Sequence, residues 1–339
     1  MYCRNPERPR REEGVALIVA LLVAALCGAL AVGLQRDFSL SYQRASNRSL
    51  SEQSWAYLRG AEELAFLALA LDYDADVARD LQRDDLTEIW AQEATPYALD
   101  EGGWLIGSLI DLQGRFNLNS LAAQPTDEEG SSRFDPAQQF FIRLLQSFEG
   151  VELSEYEAIA VTEAIADWLD ADESPRLSGA EMAAYSALQP AYRPANRPMA
   201  SVSELRLVAN VTPPLYLALA PLVTVWPREP APINIHTASP QLLRGLNADG
   251  NLQPMSQADA QQLLQLREEE GFADRETFLA QLNFTDGPLD SLSQLLGESS
   301  SYFLLDARVE IADREQRLYS ILRRESRKVK VLARTRVSP

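Results

Sequence analysis

A chain of 339 residues, 46% of them apolar, is long enough for two globular units or one with a large insertion, and too apolar to be disordered throughout. With 49 acidic against 31 basic residues the formal net charge is −18, a field that repels the phosphate backbone of nucleic acids. Two cysteines, Cys3 and Cys27, and a single histidine, His236, exclude a disulfide framework and a thiolate metal cluster, and argue against a multi-histidine zinc site or a Ser-His-Asp triad.

Val15 to Leu34 reads VALIVALLVAALCGALAVGL, an uncharged run that spans about 30 Å as a helix. Arg4, Arg8, Arg10 and Arg11 precede it, while Arg36, Arg44 and Arg48 follow more sparsely. The positive-inside bias therefore puts residues 1–14 in the cytoplasm. The run exceeds the ~7–15 residues of a signal-peptide core, and Gly14, the small residue that could mark processing, stands before it. No proline occurs between Pro9 and Pro96. Helical spacing continues through Phe38, Tyr42 and Ala45, then through Tyr57, Ala61, Leu64, Ala68 and Leu71. The pattern predicts one helix of roughly fifty-five residues, amphipathic in its second part. Asp72, Asp74 and Asp76 are expected to end it.

Two short β-type runs, Trp104–Leu112 and Arg115–Leu118, flank the tight-turn candidate Gln113-Gly114. Strand signals return only at Tyr302, where Phe303, Leu305, Ala307, Val309 and Ile311 alternate with other residues. Arg317–Arg324 and Arg327–Val337 complete an antiparallel meander with one face buried. Each β region is too small to stand alone, so the two are expected to pair. Between them the chain reads as helical: Pro136–Phe148, Ser154–Leu169, Gly179–Ala187 and Ser201–Val208. Ser154 with Glu157, and Ser201 with Glu204, have the spacing of capping boxes.

A short charged leader ending in glycine, followed by a membrane-length helix that runs into an amphipathic one, resembles the type IV pilin and pseudopilin families. The resemblance implies that a prepilin peptidase cuts between Gly14 and Val15 and that Val15 becomes the N-methylated mature terminus. Most members carry glutamate five residues into the mature chain; Val19 stands there instead, a departure shared by the K-type minor pseudopilin of type II secretion. The ordered segments LIDLQGRFNLNSL (109–121), DWLDADESPRLSGAEMAAY (167–185), SVSELRLV (201–208) and INIHTASPQLLRGL (233–246) extend that resemblance over essentially the whole chain. It implies an α+β fold in which a pilin-like long N-terminal helix packs on a small antiparallel sheet with a large inserted α-helical domain. The expected organisation is a leader (1–14), a transmembrane helix (15–34), the pilin-like helix and first strands (35–119), a helical insertion (120–298) and C-terminal strands (299–339). The implied role is non-enzymatic. It is that of a pseudopilus-tip subunit anchored in the inner membrane, with a periplasmic domain, which initiates or caps the filament that exports folded proteins. Its implied partners are the I- and J-type minor pseudopilins, with prepilin peptidase and other type II secretion components.

The densest chemistry lies at residues 167–181, where Asp167, Asp170, Asp172, Glu173 and Glu181 cluster across a helix end and a Pro/Gly/Ser loop. Calcium takes about six to eight oxygens from carboxylates and loop carbonyls in irregular geometry. The EF-hand spacing is absent, and a solvated acidic loop remains the alternative. The resemblance implies structural calcium, with Asp170, Asp172 and Glu181 as the firmest ligands and Asp167 and Glu173 next. Two of these carboxylates could also serve a hydrolase, which requires a cleft and a raised pKa. Residues 233–284 resemble the helix-hairpin-helix units of DNA-uptake proteins. Gly250 is alone where a paired glycine is expected, and three arginines face seven acids, so a scaffold without nucleic acid is the expectation, with His236 inside it. The C-terminal meander is locally basic, ten Lys/Arg against five Asp/Glu in Asp306–Pro339, as edge strands often are.

Overall fold

The computed structural model describes residues 13–81, 83–100, 102–123, 132–247, 251–269, 271–282 and 289–337, so most of the expected leader and Gly250 lie outside the described residues. The chain divides into two compact units, one up to Tyr57 and one from Leu58. Helix α1 (Glu13–Arg79) begins in the first unit, where its apolar side chains are exposed and where Arg48 pairs with Glu52 at 2.8 Å. It is long and apolar enough there to cross a membrane.

The second unit is α+β. After α1 come a 3-10 turn (Ile89–Ala91), strands β1 (Tyr97–Ala98), β2 (Trp104–Asp111) and β3 (Phe116–Asn117), and a 3-10 segment (Leu118–Ala122). Helices α2 (Pro136–Gln146), α3 (Glu155–Leu169) and α4 (Met182–Ser186) follow, then a 3-10 segment (Val202–Leu207) and α5 (Pro213–Leu219). Next are β4 (Val223–Thr224), β5 (Ile233–Asn234), α6 (Pro240–Leu243), α7 (Gln257–Glu269), α8 (Arg275–Gln281), α9 (Leu289–Leu295) and β6 (Leu296–Gly297). Strands β7 (Tyr302–Ile311), β8 (Arg314–Glu325) and β9 (Lys328–Thr335) close the chain. The main sheet has the order β1-β2-β7-β8-β9, antiparallel throughout, so the two distant β regions do pair. Gly103, at φ 107°, lets the chain enter β2 against the Glu310 carbonyl, which a Cβ would meet at 1.9 Å.

Helix α1 does not end at Asp72; it continues to Arg79. Its buried stripe is Leu58, Ala61, Glu62, Ala65, Leu69, Asp72 and Asp76, whereas Leu64 and Leu71 of the predicted stripe are 63% and 45% exposed. The inward face is half polar because the sheet supplies partners for it. Ser320 donates to Glu62 at 2.7 Å, Arg334 reaches Glu62 at 2.9 Å, and Arg324 reaches Asp72 at 2.9 Å. Arg324 also pairs with Asp84 and donates to the Ser300 carbonyl, while Asp74 meets Arg327 at 3.1 Å on the outside. Acids that would end a free helix are thus accommodated within this one by partners from the sheet.

The second predicted strand, Arg115–Leu118, contracts to β3, which leaves the main sheet and pairs in parallel with β4. Asn117 directs its amide to the carbonyls of Pro227 and Glu229 at 2.8 and 2.9 Å, and Asn119 is bound to Val225 and Met199. These bonds turn the backbone into the insertion instead of back along β2. The insertion has its own core, from Phe116 stacked on Phe140 and Phe141 to Leu205, Leu242 and Phe278. The meander was expected to bury one face. Leu304, Tyr319 and Ile321 also bury the other, with Leu112 and Trp226. Ser154 and Ser201 both cap as capping boxes, but the element behind Ser201 is 3-10 rather than α.

The chain leaves the sheet at Asp111 and re-enters it opposite, at Phe303. A buried polar network closes this neck. Asp111 accepts from Thr237, from Ser300 Oγ at 2.7 Å, from Asn234 Nδ2 at 3.2 Å and from the Gln113 N–H at 2.7 Å. Asn234 also donates to the Asp84 carbonyl at 2.9 Å, and Gln113 Oε1 accepts from the Ser301 N–H at 2.7 Å. Asp111→Ala strands these donors in a dry site, and we expect it to cost roughly 2–4 kcal/mol in denaturant unfolding. A change within error would mean the network does not hold the neck.

Candidate metal centre

Helix α3 positions the acidic loop. Its N-terminus is fixed by the Ser154 capping box, and its last turn buries Ala166, Asp167, Trp168 and Leu169. Asp170 caps the C-terminus with extended backbone, its N–H donating to Ala166 at 3.1 Å, which releases the loop outward. Arg176 folds the loop back. Its Nη1 donates to Asp167 Oδ1 at 2.7 Å and to Asp170 Oδ2 at 2.5 Å, and its backbone N–H reaches Asp167 as well. Gly179 lies so close to Asp167 that a Cβ would sit 1.9 Å from Oδ2. Glu163 takes the Ser178 N–H at 2.6 Å and Arg133 at 2.6 Å, pinning the return strand of the loop.

Within this frame Asp170, Asp172 and Glu181 each offer an oxygen within 4.8 Å of the others. Both Glu181 oxygens and Asp170 Oδ1 are buried without a hydrogen-bond donor. Three such acceptors in a dry site are costly unless a cation or a proton satisfies them. Burial, reinforced by Asp167 and Asp170, pushes the Glu181 pKa up to about 7. Burial likewise raises Asp170 and Asp167, against the pull of Arg176. Asp167 lies outside the group; it is fully buried and engaged by Arg176. Glu173 is exposed on the loop and also falls outside it.

Asn196 supports the site from far along the chain. Its Nδ2 donates to the Asp172 carbonyl at 2.7 Å, and its own Oδ1 is buried and unpaired. No local pattern marks it; only its left-handed backbone, φ 43°, is of a kind that favours asparagine. Behind the loop, Trp168 meets Tyr185 and Tyr192 edge to face, and the two tyrosines pack at a tilt of 40°.

A second acidic group, Asp72, Asp84 and Glu88, was not anticipated from the sequence. It already holds a cation, the Arg324 guanidinium, and Glu88 accepts from Trp90 Nε1 at 2.6 Å. Burial, opposed by that Trp90 bond and helped by the charges of Asp72 and Asp84, raises Glu88 to about 8. In the hairpin-like segment, the described backbone is committed to packing. Arg143 donates to the Asn251 carbonyl at 2.8 Å, and Gln146 to Leu252 at 2.7 Å. His236 is buried in that scaffold with Nε2 unpaired, and burial lowers its pKa to about 4.

Glu181 binds its proton more tightly folded than unfolded, so its ionisation destabilises the cation-free protein as pH rises from 4.5 to about 7 and levels off above. In chelator, Glu181→Gln should remove that share, roughly 1–3 kcal/mol between pH 5 and pH 8. Glu88 and Asp72 add the same trend to both proteins, so the comparison is between the two curves. Parallel curves for wild type and variant would contradict the assignment.

Two family profiles described as Type II secretion system (T2SS), protein K, match residues 114–228 and 233–299. The chain is 34% identical to the Type II secretion system protein K of Pseudomonas aeruginosa, over 96% of this chain and 93% of that one. It is 32% identical to the Aeromonas hydrophila protein of the same name, over 92% and 93%. Its fold matches a chain of the crystal structure of the GspK–GspI–GspJ complex of enterotoxigenic Escherichia coli. The TM-score is 0.73 at 29% identity, covering 87% of this chain and 100% of that one. The neck residues Asp111, Gln113 and Asn234 and the acidic loop thus stand in a chain that belongs to the type II secretion system protein K family.

Proposed function

We propose that this chain is the K-type minor pseudopilin of a type II secretion system, a non-enzymatic subunit that initiates or caps the pseudopilus at its tip. The observation that carries this reading is helix α1, which holds a membrane-length apolar segment in the first unit and packs its later turns on the interrupted sheet in the second. One end suits a filament core and an inner-membrane anchor, and the other carries a periplasmic domain. The insertion adds bulk where a further subunit would have to dock, which favours a terminal position. On the outer face of α1, Leu64, Leu67 and Leu71 offer an exposed apolar stripe to neighbouring helices. The related complex contains I and J subunits, so I- and J-type minor pseudopilins are the proposed partners. Prepilin peptidase cuts between Gly14 and Val15, and no nucleic acid is bound: the acidic field and the committed hairpin backbone both oppose it.

In this reading Asp170, Asp172 and Glu181 hold a structural calcium ion. The donors are all oxygens, and three of them lack any other partner, which suits a hard cation and leaves no soft ligand for a transition metal. Bound, the ion neutralises the cluster; the chain's own residues do the rest. Arg176 and Asp167 hold the loop closed, and Asn196 fixes the Asp172 backbone.

Cells containing prepilin peptidase should yield a mature chain beginning VALIV that co-purifies with I- and J-type pseudopilins. A chain that keeps Met1 and associates with neither overturns the role. Calcium should raise the melting temperature of the chelated protein, magnesium less so, because binding to the folded form alone stabilises it. Asp172→Ala with Glu181→Ala should abolish that response. Equal melting of wild type and double variant, with chelator and with calcium, would leave only a solvated acidic loop.

A further inference from the structure

Arg115 sits where the chain turns out of β2, its N–H donating to the Leu112 carbonyl at 3.3 Å. Its guanidinium is half-buried, yet among the described residues it makes no hydrogen bond and no ion pair. Every other buried or half-buried arginine among them has an acceptor. Arg143, Arg244 and Arg267 reach backbone carbonyls, and Arg176, Arg317 and Arg324 reach carboxylates. The charge that acts on Arg115 is that of Asp111, already committed to its four donors at the neck. Burial therefore outweighs it and lowers the Arg115 pKa. A guanidinium held half out of water without an acceptor is an incomplete ion pair.

Arg115 lines a cleft of about 280 Å³ whose walls include Leu86, Trp90, Leu109 and Leu222. Of these, Leu86 is 52% exposed at the mouth. A half-buried charge in an apolar-walled cleft that opens beside an exposed leucine has the anatomy of a protein-docking spot, because a docked partner would exclude water from the ion pair. The volume falls just below the ~300–1,000 Å³ usual for small-molecule sites, but it accepts one side chain. The planar fork of arginine matches a carboxylate. A dianionic phosphate is disfavoured by Asp111 alongside and by the net charge of −18.

We propose that this cleft receives an Asp or Glu side chain of a partner subunit, which completes the ion pair of Arg115 on assembly. The inference rests on the tip-subunit role proposed above and goes further by naming the residue and the chemistry of the contact. It explains why the acceptor is missing from this chain: it comes with the partner.

The test uses the full chain in detergent with I- and J-type pseudopilins, comparing wild type with Arg115→Ala, Arg115→Gln and Arg115→Lys. Affinity for the partners and the melting temperature of the chain alone are both measured. Loss of Arg115 should leave the melting temperature unchanged or higher while weakening assembly about tenfold or more, with lysine intermediate. Arg115→Glu should be rescued by reversing one acidic residue of the partner. Wild-type affinity in all three variants overturns this inference and leaves the tip role intact. A melting temperature that falls in step with affinity, without rescue by charge reversal, assigns Arg115 to internal structure and also overturns it. Acetate, titrated against chloride at equal ionic strength, covers a free carboxylate. A shift of the Arg115 side-chain resonance by acetate, with assembly insensitive to the variants, would assign the cleft to a free carboxylate and overturn docking. If wild type binds neither partner, both readings fail together.

Discussion

Strand β2 pairs along its whole length with β7, although everything from Leu112 to Ser301 lies between them. That pairing constrains the rest of the second unit. It requires the insertion to leave and re-enter the sheet at one point, so the insertion folds as a closed excursion whose two ends meet. Closing so long a loop is entropically costly, and the neck gathers a buried polar network where that cost must be offset. Asp111, Gln113, Asn234 and Ser300 come from both ends of the excursion and from its middle, and they satisfy one another in a dry site. A ring of this kind specifies register as well as stability, because each member leaves a buried donor or acceptor unpaired when displaced.

The sheet side of the molecule is governed by charge as much as by apolar burial. Glu62, Asp72 and Asp76 lie on the face of α1 that packs inward, and Arg334 and Arg324 answer the first two from β9 and β8. Such pairs gain less than apolar packing of the same volume, but they leave fewer alternative registers of helix on sheet. They also turn the apolar residues Leu64, Leu67 and Leu71 outward. The face that an isolated amphipathic helix would bury within its own domain is thereby left exposed.

Two acidic clusters and one arginine show how differently buried charge is answered in this chain. At Asp72 and Asp84 the cation is an arginine of the chain itself. At Asp170, Asp172 and Glu181, one arginine serves Asp167 and half of Asp170 and leaves three oxygens unanswered. At Arg115 the imbalance is reversed, with a guanidinium and no acceptor. The first is answered within the chain, while the other two leave, in opposite senses, buried acceptors and a half-buried guanidinium without a partner among the described residues.

Features that depend on neighbours along the chain were legible in the sequence. The apolar run after Val15, the capping boxes at Ser154 and Ser201, and the alternation of β7 from Phe303 to Ile311 follow from periodicity and local hydrogen bonding. The crowding of acids at 167–181 was visible too, and Asp170, Asp172 and Glu181 do converge. What required the tertiary structure was every outcome decided by a partner distant in sequence. Arg324 carries α1 past Asp72, the amide of Asn117 draws β3 out of the sheet, and Arg176 engages Asp167 where Gly179 packs against it. The Asn196 bond to the acidic loop and the missing acceptor of Arg115 have no local signature at all. Periodicity reports which face of an element is apolar; only the packed molecule determines which polar groups find partners, because pairing across the fold is set by three-dimensional proximity and not by spacing.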